Sequence, residues 1–312
     1  MNTPKAIADR WRRFRTVRAY RYFLWFYYGE RLRDYPLPAA AKLLLSRLIF
    51  LSHLPLLLPD WYFLIGSCGA RMYVNPFVSP ITMDWALGVY EYWVANTFRR
   101  TVTEGMTALD IGAHKGIYSI LLASLMQDNG RVIAFEPDPD NCQWIDKNVR
   151  ANGFQCIELS QLALSDQEGS ATFYAADGLG SLVANPSARA TAKKPITVLT
   201  RRLDDVLEER RIEKVDIIKI DVEGADLMVL RGAQRTLRQN DVSILMDVDV
   251  QSNTERQELY DLLRSLGFRV YRMGKELTHI DRARDLFLYD EQGQPLANRS
   301  GQVVRDIYAT KG

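Results

Sequence analysis

Cysteine is scarce in this chain: three in 312 residues, at Cys68, Cys142 and Cys156. An odd number with no C-x-x-C pair indicates neither a disulfide framework nor a zinc cluster, and leaves a reducing, cytoplasmic setting as the expectation. Long uncharged apolar runs are also missing. Lys42, Arg47, His53 and Pro55 interrupt the stretch 39–58, whereas a bilayer span needs about 20 predominantly apolar residues. No cleavable signal is predicted, because the arginine-rich N-terminus lacks an unbroken apolar core and a small-residue cleavage site. Repeats and long low-complexity segments are absent as well. The dinucleotide fingerprint G-x-G-x-x-G lacks its middle glycine here, since Ala113 and His114 follow Gly112. That disfavours a nicotinamide oxidoreductase.

What is present begins with size. A chain of 312 residues with 47% hydrophobic content can bury one large core plus an appendage. Its net charge of +2 hides an asymmetry: residues 1–33 hold nine Lys/Arg against Asp9 and Glu30, so the remainder is acidic, 2 − 7 or −5. Aromatics from Trp11 to Tyr28 are interleaved with those arginines. We assign residues 1–80 to a basic, aromatic, helical N-terminal region, 81–290 to an α/β domain and 291–312 to a polar, loosely held tail. Two readings of the N-terminal region stay open. In one, residues 1–60 lie on the inner face of a membrane, each cation near anionic headgroups contributing about 1 kcal/mol. In the other, the same aromatics pack on the rest of the protein.

The most informative run is Leu109-Asp110-Ile111-Gly112-Ala113-His114-Lys115-Gly116. It reads as a strand end, an acid, a tight glycine turn and a helix start, with the strand over 107–111 and the helix carried by Ile117, Ile120, Leu121 and Leu125. Glycine lets the backbone approach a ligand closely. Asp110 repels a pyrophosphate and suits a ligand that carries a cation. A second strand, 131–135, ends in Glu136, about 20 positions past the loop, where an acid accepts hydrogen bonds from ribose hydroxyls.

Around this unit the pattern alternates. A short β segment is predicted over 66–78, and a helix over 85–98 carries Glu91 toward the site. Asp138 and Pro139 start a helix that Gly153 ends. Further strands are predicted at 156–162, 215–220 and 243–248, so the chain is α/β with a doubly wound, mostly parallel sheet. Asp110, Glu136, Asp221 and Asp247 fall at or just past strand ends, where ligands bind in such sheets. Residues 170–174 and 196–199 read as a hairpin within a glycine- and proline-broken insertion.

Four blocks in order carry a resemblance: Asp110-Ile-Gly112-Ala113-x-x-Gly116, Ala134-Phe135-Glu136-Pro137, Leu162-Ala163-Leu164-Ser165-Asp166, and Lys219-Ile220-Asp221-Val222-Glu223-Gly224. Together they resemble the FkbM-type methyltransferases over roughly residues 85–250. The resemblance implies a class I, Rossmann-like fold, S-adenosylmethionine as methyl donor, and O-methylation of sugars, glycans or natural-product hydroxyls. It places Asp110, Gly112, Ala113, His114, Gly116, Glu136, Ser165 and Asp166 around the donor, with a turn-capping role for Asp166 as the alternative, and Asp221, Glu223 and Lys219 at the chemistry; Glu91, from the helix reading above, joins the donor side. Asp221 is the favoured proton acceptor; Lys219 holds an acceptor oxygen or forms a structural salt bridge. His114 departs from the asparagine common in the family, and an imidazole donates a similar hydrogen bond. The expected acceptor is a hydroxyl of a carbohydrate or glycolipid, with no nucleic-acid partner.

Competing functions differ in what they require. Asn75-Pro76-Phe77 with the basic N-terminus hints at nucleic-acid methylation, but Phe77-Val78 replaces the last two positions of the base-stacking wall. Clustered Asp221, Glu223, Asp247 and Asp249 raise a magnesium-assisted route, although no metal is assigned. A methyltransferase acting on a small natural product, or a non-catalytic protein that senses the donor, would share the same loop and strand ends.

Overall fold

The computed structural model describes residues 37, 38, 41, 61–64, 68–74, 88, 91–175, 180–183, 195–250, 252–287 and 306–311. The candidate membrane-contacting residues 1–60 lie outside these apart from Leu37, Pro38 and Ala41, which are helical. An antiparallel hairpin of β1 (Trp61–Leu64) and β2 (Arg71–Val74) comes first. Helix α1 (Tyr92–Thr101) starts later than the predicted helix and turns Val94, Ala95 and Phe98 inward.

The central unit follows the predicted pattern. Strand β3 (Thr107–Ile111) leads into α2 (Ile117–Leu125), whose residues 118–123 are all buried, so this helix is interior rather than amphipathic. Strand β4 (Arg131–Phe135) precedes α3 (Pro139–Asn152). There Asp138 caps the helix by accepting from Asp140 N–H at 2.8 Å, Pro139 occupies the first turn, and Gly153 ends it at φ 71°. Strand β5 (Ile157–Ser160) follows.

Three strands then leave the main sheet. β6 (Ala163–Leu164), β7 (Gly169–Phe173) and β8 (Ile196–Arg201) form a small sheet in the order β6-β8-β7, and β7 pairs antiparallel with β8 as predicted. After α4 (Leu203–Glu209) the chain returns to the main sheet as β9 (Ile217–Ile220). Helices α5 (Asp226–Gly232) and α6 (Gln234–Gln239) lead to β10 (Ser243–Asp247), and α7 (Asn253–Ser265) leads to β11 (Arg269–Arg272) and β12 (Thr278–His279).

The main sheet is closed by β13 (Asp306–Thr310), giving the order β12-β11-β13-β10-β9-β3-β4-β5. From β10 through β5 the strands are parallel, and β13 runs antiparallel to both its neighbours. This corrects the expectation of a loosely held tail over 291–312. Residues 306–310 lie between β10 and β11 with Ile307 and Ala309 buried in the core, because a strand in that gap satisfies backbone groups on two neighbours at once. The rest of that tail, 291–305, lies outside the described residues.

Helices cover both faces, as a doubly wound sheet requires. Phe98, Tyr118 and Leu122 pack against Ile217 and Leu245 on one face, while Leu203, Leu230, Leu237 and Leu263 pack against Leu109 and Ile218 on the other. Arg256 fixes the loop past β10. Its fully buried guanidinium donates to the carbonyls of Val248 and Val250, each at 2.7 Å, and of Leu286 at 3.0 Å.

Candidate active site

Strand order reverses between β3 and β9: from β3 the chain winds outward through β4 and β5, and from β9 it winds the other way to β10. A crevice opens past the carboxyl ends of strands at such a point. The turn from β3 to α2 uses left-handed backbone at Gly112 (φ 80°), His114 (φ 51°) and Gly116 (φ 85°). Its amides are spent inside the protein. Gly112 and Ala113 both donate to the Phe135 carbonyl at 3.0 Å, Gly116 donates to the Ala113 carbonyl at 2.7 Å, and His114 donates to Glu136 Oε2 at 2.8 Å. Those N–H groups therefore form no nest for a phosphate, which agrees with the missing middle glycine.

Gly112 is a glycine for a different reason from the one expected. A Cβ there would stand 1.9 Å from the Asp221 carbonyl oxygen, so the close approach is between two backbones, not backbone and ligand. Asp221 N–H donates to the Ile111 carbonyl at 3.0 Å and locks the two strand ends together. Ala113 packs with Ala134 and Ile145, and a Cβ on Gly116 would come within 3.3 Å of Ile145 Cγ1. Both residues seat the turn on α3.

Beside this turn lies a cleft of ≈ 760 Å³ of empty space, its open mouth included. Phe135, Leu162, Leu164, Phe173 and Leu182 give it apolar walls, and Glu136, Asn141, Asp221 and Glu223 face it from the polar side. Burial pushes the Glu136 carboxyl up to about 7, against the pull of three donors. These are His114 N–H on Oε2, and Asp138 N–H at 2.9 Å and Asn141 Nδ2 at 3.3 Å on Oε1. A carboxylate offers about four acceptor positions, so one remains on Oε2 for a ligand hydroxyl. An apolar slot for a planar base, an acceptor for a ribose hydroxyl and carboxylates in place of a phosphate nest fit S-adenosylmethionine.

On the other face of the sheet end, charges gather around Lys219. Its side chain is 1% exposed, with Nζ 3.1 Å from Asp221 Oδ2 and 4.8 Å from the centre of the Tyr118 ring. Burial pulls the ammonium's pKa down, but Asp221, Glu91, Asp110 and Asp247 outweigh it and hold Lys219 charged above the ordinary lysine range. The Tyr118 hydroxyl donates to Glu91 Oε2, and Ser119 Oγ donates to Asp110 Oδ2 at 2.5 Å. Burial, with Asp221 and Asp249 beside it, holds the Glu223 carboxyl far above its usual range, so it is a protonated donor near neutrality.

The structure thus brings Gly112, His114, Glu136, Asp221 and Glu223 to the cleft wall. Asp110, Lys219 and Glu91 sit behind it: Asp110 and Glu91 neighbour the Lys219 ammonium, Glu91 accepts from Tyr118, and none of the three lines the cleft. Ser165 and Asp166 do not line it. Ser165 N–H pairs with the Arg201 carbonyl at 2.9 Å, and Asp166 reaches Arg231 at 3.8 Å; the three residues before them, 162–164, form the wall instead. Asn141, Phe173 and Leu182 were not anticipated. Asn141 had a signal in the sequence, a polar residue in the first turn of the helix that follows Glu136.

The buried carboxyls also carry a pH prediction. Burial raises Asp110 from 3.8 to about 6, Glu136 from 4.5 to about 7 and Asp226 from 3.8 to about 8. Across that window the folded chain binds more protons than the unfolded one, so stability falls as pH rises and is fullest near or below the unfolded values. Urea unfolding of the ligand-free protein from about pH 5 to 8 should show a declining free energy, and a rising profile would overturn the assignment.

Comparison with known proteins agrees with this geometry. A family model described as Methyltransferase FkbM domain matches residues 110–270. The 2-O-methyltransferase NoeI of Sinorhizobium fredii is 29% identical over 143 residues, covering 41% of this chain and 58% of NoeI. The hexuronic acid methyltransferase AglP of Haloferax volcanii is 24% identical over 179 residues, covering 57% of this chain and 68% of AglP. The chain therefore spans little more than half of NoeI and about two thirds of AglP. A solved structure, methyltransferase FkbM from Methylobacillus flagellatus, aligns with a TM-score of 0.44 at 15% identity over 75% of this chain and 54% of that one. The family match takes in just over half of the 312 residues and all four sequence blocks singled out above, and the chain belongs to the FkbM family of S-adenosylmethionine-dependent methyltransferases.

Proposed function

We propose that this protein methylates a hydroxyl of a carbohydrate acceptor, with Asp221 receiving the proton that the hydroxyl gives up. The observation that carries the reading is the placement of Asp221, on the cleft wall at the end of β9 with one oxygen held 3.1 Å from a buried ammonium. S-adenosylmethionine, when bound, supplies the methyl group. The chain's own residues do the rest. Glu136 and Asn141 hold the ribose side, the apolar walls exclude water, and Lys219 fixes the rotamer of Asp221 while keeping one carboxylate oxygen occupied. Glu223, held protonated with a hydrogen bond to Asp249, does not compete for the acceptor's proton. Alignment of this kind contributes up to roughly 7–11 kcal/mol in well-oriented reactions. A positioned base contributes about 10²–10⁴-fold, so positioning is the larger share.

The carbohydrate acceptor is supported by the printed activities of NoeI and AglP. A membrane-surface glycolipid is the finer version, favoured by the basic, aromatic residues 1–33. No helix among the described residues is long and apolar enough to cross a membrane. Two measurements test the function. Calorimetry should detect binding of S-adenosylhomocysteine to the whole protein. Mass spectrometry of glycans and glycolipids from cells with and without the gene should then show a methyl-sized loss. Absence of binding removes the donor; a loss confined to non-carbohydrate molecules removes the acceptor class.

A further inference from the structure

Residues 180–183 return from the insertion between β7 and β8 and touch two parts of the site at once. The backbone of Ser181 extends β7: Tyr174 N–H donates to the Ser181 carbonyl at 2.9 Å, and Ser181 N–H to the Tyr174 carbonyl at 3.3 Å. Its neighbours Gly180 and Leu182 line the cleft. Gly180 lets the Phe173 ring lie close against the backbone, where a Cβ would stand 2.6 Å from Cζ. The Ser181 side chain is 0% exposed and makes two bonds. Its hydroxyl donates to the Glu223 carbonyl at 2.7 Å and accepts Val183 N–H at 2.9 Å.

The partner of that hydroxyl sits in costly backbone. Glu223 has φ 51° and is followed by Gly224 at φ 100°, and a non-glycine residue in the left-handed region persists only where its surroundings impose it. The turn's own ladder does little of that. Its backbone bonds are Asp221 N–H to Ile111 at 3.0 Å and a long Ala225 N–H to Val222 at 3.4 Å, and neither grips the Glu223 carbonyl.

We propose that Ser181 is a positioning residue for methyl transfer: its hydroxyl holds Glu223 in the left-handed conformation and ties the turn bearing Asp221 and Glu223 to the cleft wall at Leu182. The inference deepens the proposed function, because it rests on Asp221 and Glu223 being the acids that face the acceptor. Its consequence is coupling. Whatever steadies Leu182 from inside the cleft steadies the acid-bearing turn through this one hydroxyl, so donor-side occupancy and acceptor-side alignment are linked.

Hydrogen–deuterium exchange on the full chain tests this without an acceptor. In the free protein, Ser181→Ala should speed exchange of peptides covering 180–183 and 221–225 about ten-fold, the scale of one lost buried hydrogen bond. Peptides from α2 and β4 should be unchanged. Ser181→Thr, which keeps the hydroxyl, should restore wild-type exchange, and Ser181→Cys, a weaker donor of similar size, should fall between. Added S-adenosylhomocysteine should protect both segments in the wild type but only 180–183 in Ser181→Ala. Wild-type exchange at 221–225 in free Ser181→Ala overturns the proposal, as does acceleration spread over the whole sheet. If S-adenosylhomocysteine protects nothing in the wild type, the donor reading fails, and the free-protein comparison still decides the role of Ser181.

Discussion

Asp221→Asn should lower methyl transfer by about 10²–10⁴-fold while leaving calorimetric affinity for S-adenosylhomocysteine within about two-fold. The amide is nearly isosteric and can still meet Lys219 through its oxygen, so the cleft wall keeps its shape. It cannot take a proton from a hydroxyl at neutral pH. Lys219 also keeps carboxyl neighbours, since Glu91 and Asp110 remain around it, and the variant should fold. Transfer of label from S-adenosylmethionine to a glycan fraction from cells lacking the gene gives the rate. Glu223→Gln is the informative control. Its carboxyl is already held protonated beside Asp249, so an amide donor in its place should lose far less. Full activity in Asp221→Asn, or equal losses in both variants, would sink the assignment of roles.

Gly112→Ala should be among the most damaging single methyl additions at the described residues. The added Cβ would meet the Asp221 carbonyl oxygen at 1.9 Å and its carbon at 2.8 Å, on a residue already at φ 80°. Left-handed backbone alone costs a non-glycine residue roughly 1–2 kcal/mol. The overlap with a neighbouring backbone adds to that, because neither strand end can move without breaking the Asp221 to Ile111 hydrogen bond. We expect a destabilisation above about 4 kcal/mol, in the range reserved for the severest substitutions, and loss of donor binding. Gly153→Ala separates the two causes. It shares a positive φ, 71°, but its Cβ would meet nothing within 4 Å, so only the backbone penalty of about 1 kcal/mol applies. Urea unfolding of both variants measures the difference.

How far the sequence reached depended on whether a signal was local. Asp138, Pro139 and Gly153 delimit α3 by chemistry acting within a turn, and they were legible. So were β3, β4, β9 and β10, whose apolar runs follow from burial on both faces. Glu136 was legible as a site residue, although its bonds to the amides of His114 and Asp138 were not. What escaped is tertiary. The neighbour that makes Gly112 obligatory is more than 100 residues away in sequence, and nothing near Ser165 or Asp166 says that the wall is built from 162–164 instead. Ser181 had no motif at all; only the meeting of the insertion with the turn after β9 gives it a task. The strand over 306–310 was hidden by the polar residues ahead of it.

That strand bears on when the domain can form during synthesis. β10 and β11 are not paired with each other; each is hydrogen-bonded to β13, and Lys311 beyond it donates to the carbonyls of Leu237 and Asn240 at 2.5 and 2.9 Å. Until residues 306–311 have left the ribosome, the nascent chain carries two open strand borders and a slot between them, the kind of surface that invites pairing with other polypeptides. Completion of the sheet thus waits for those residues, and chaperone dependence would be set by a segment that lines none of the cleft.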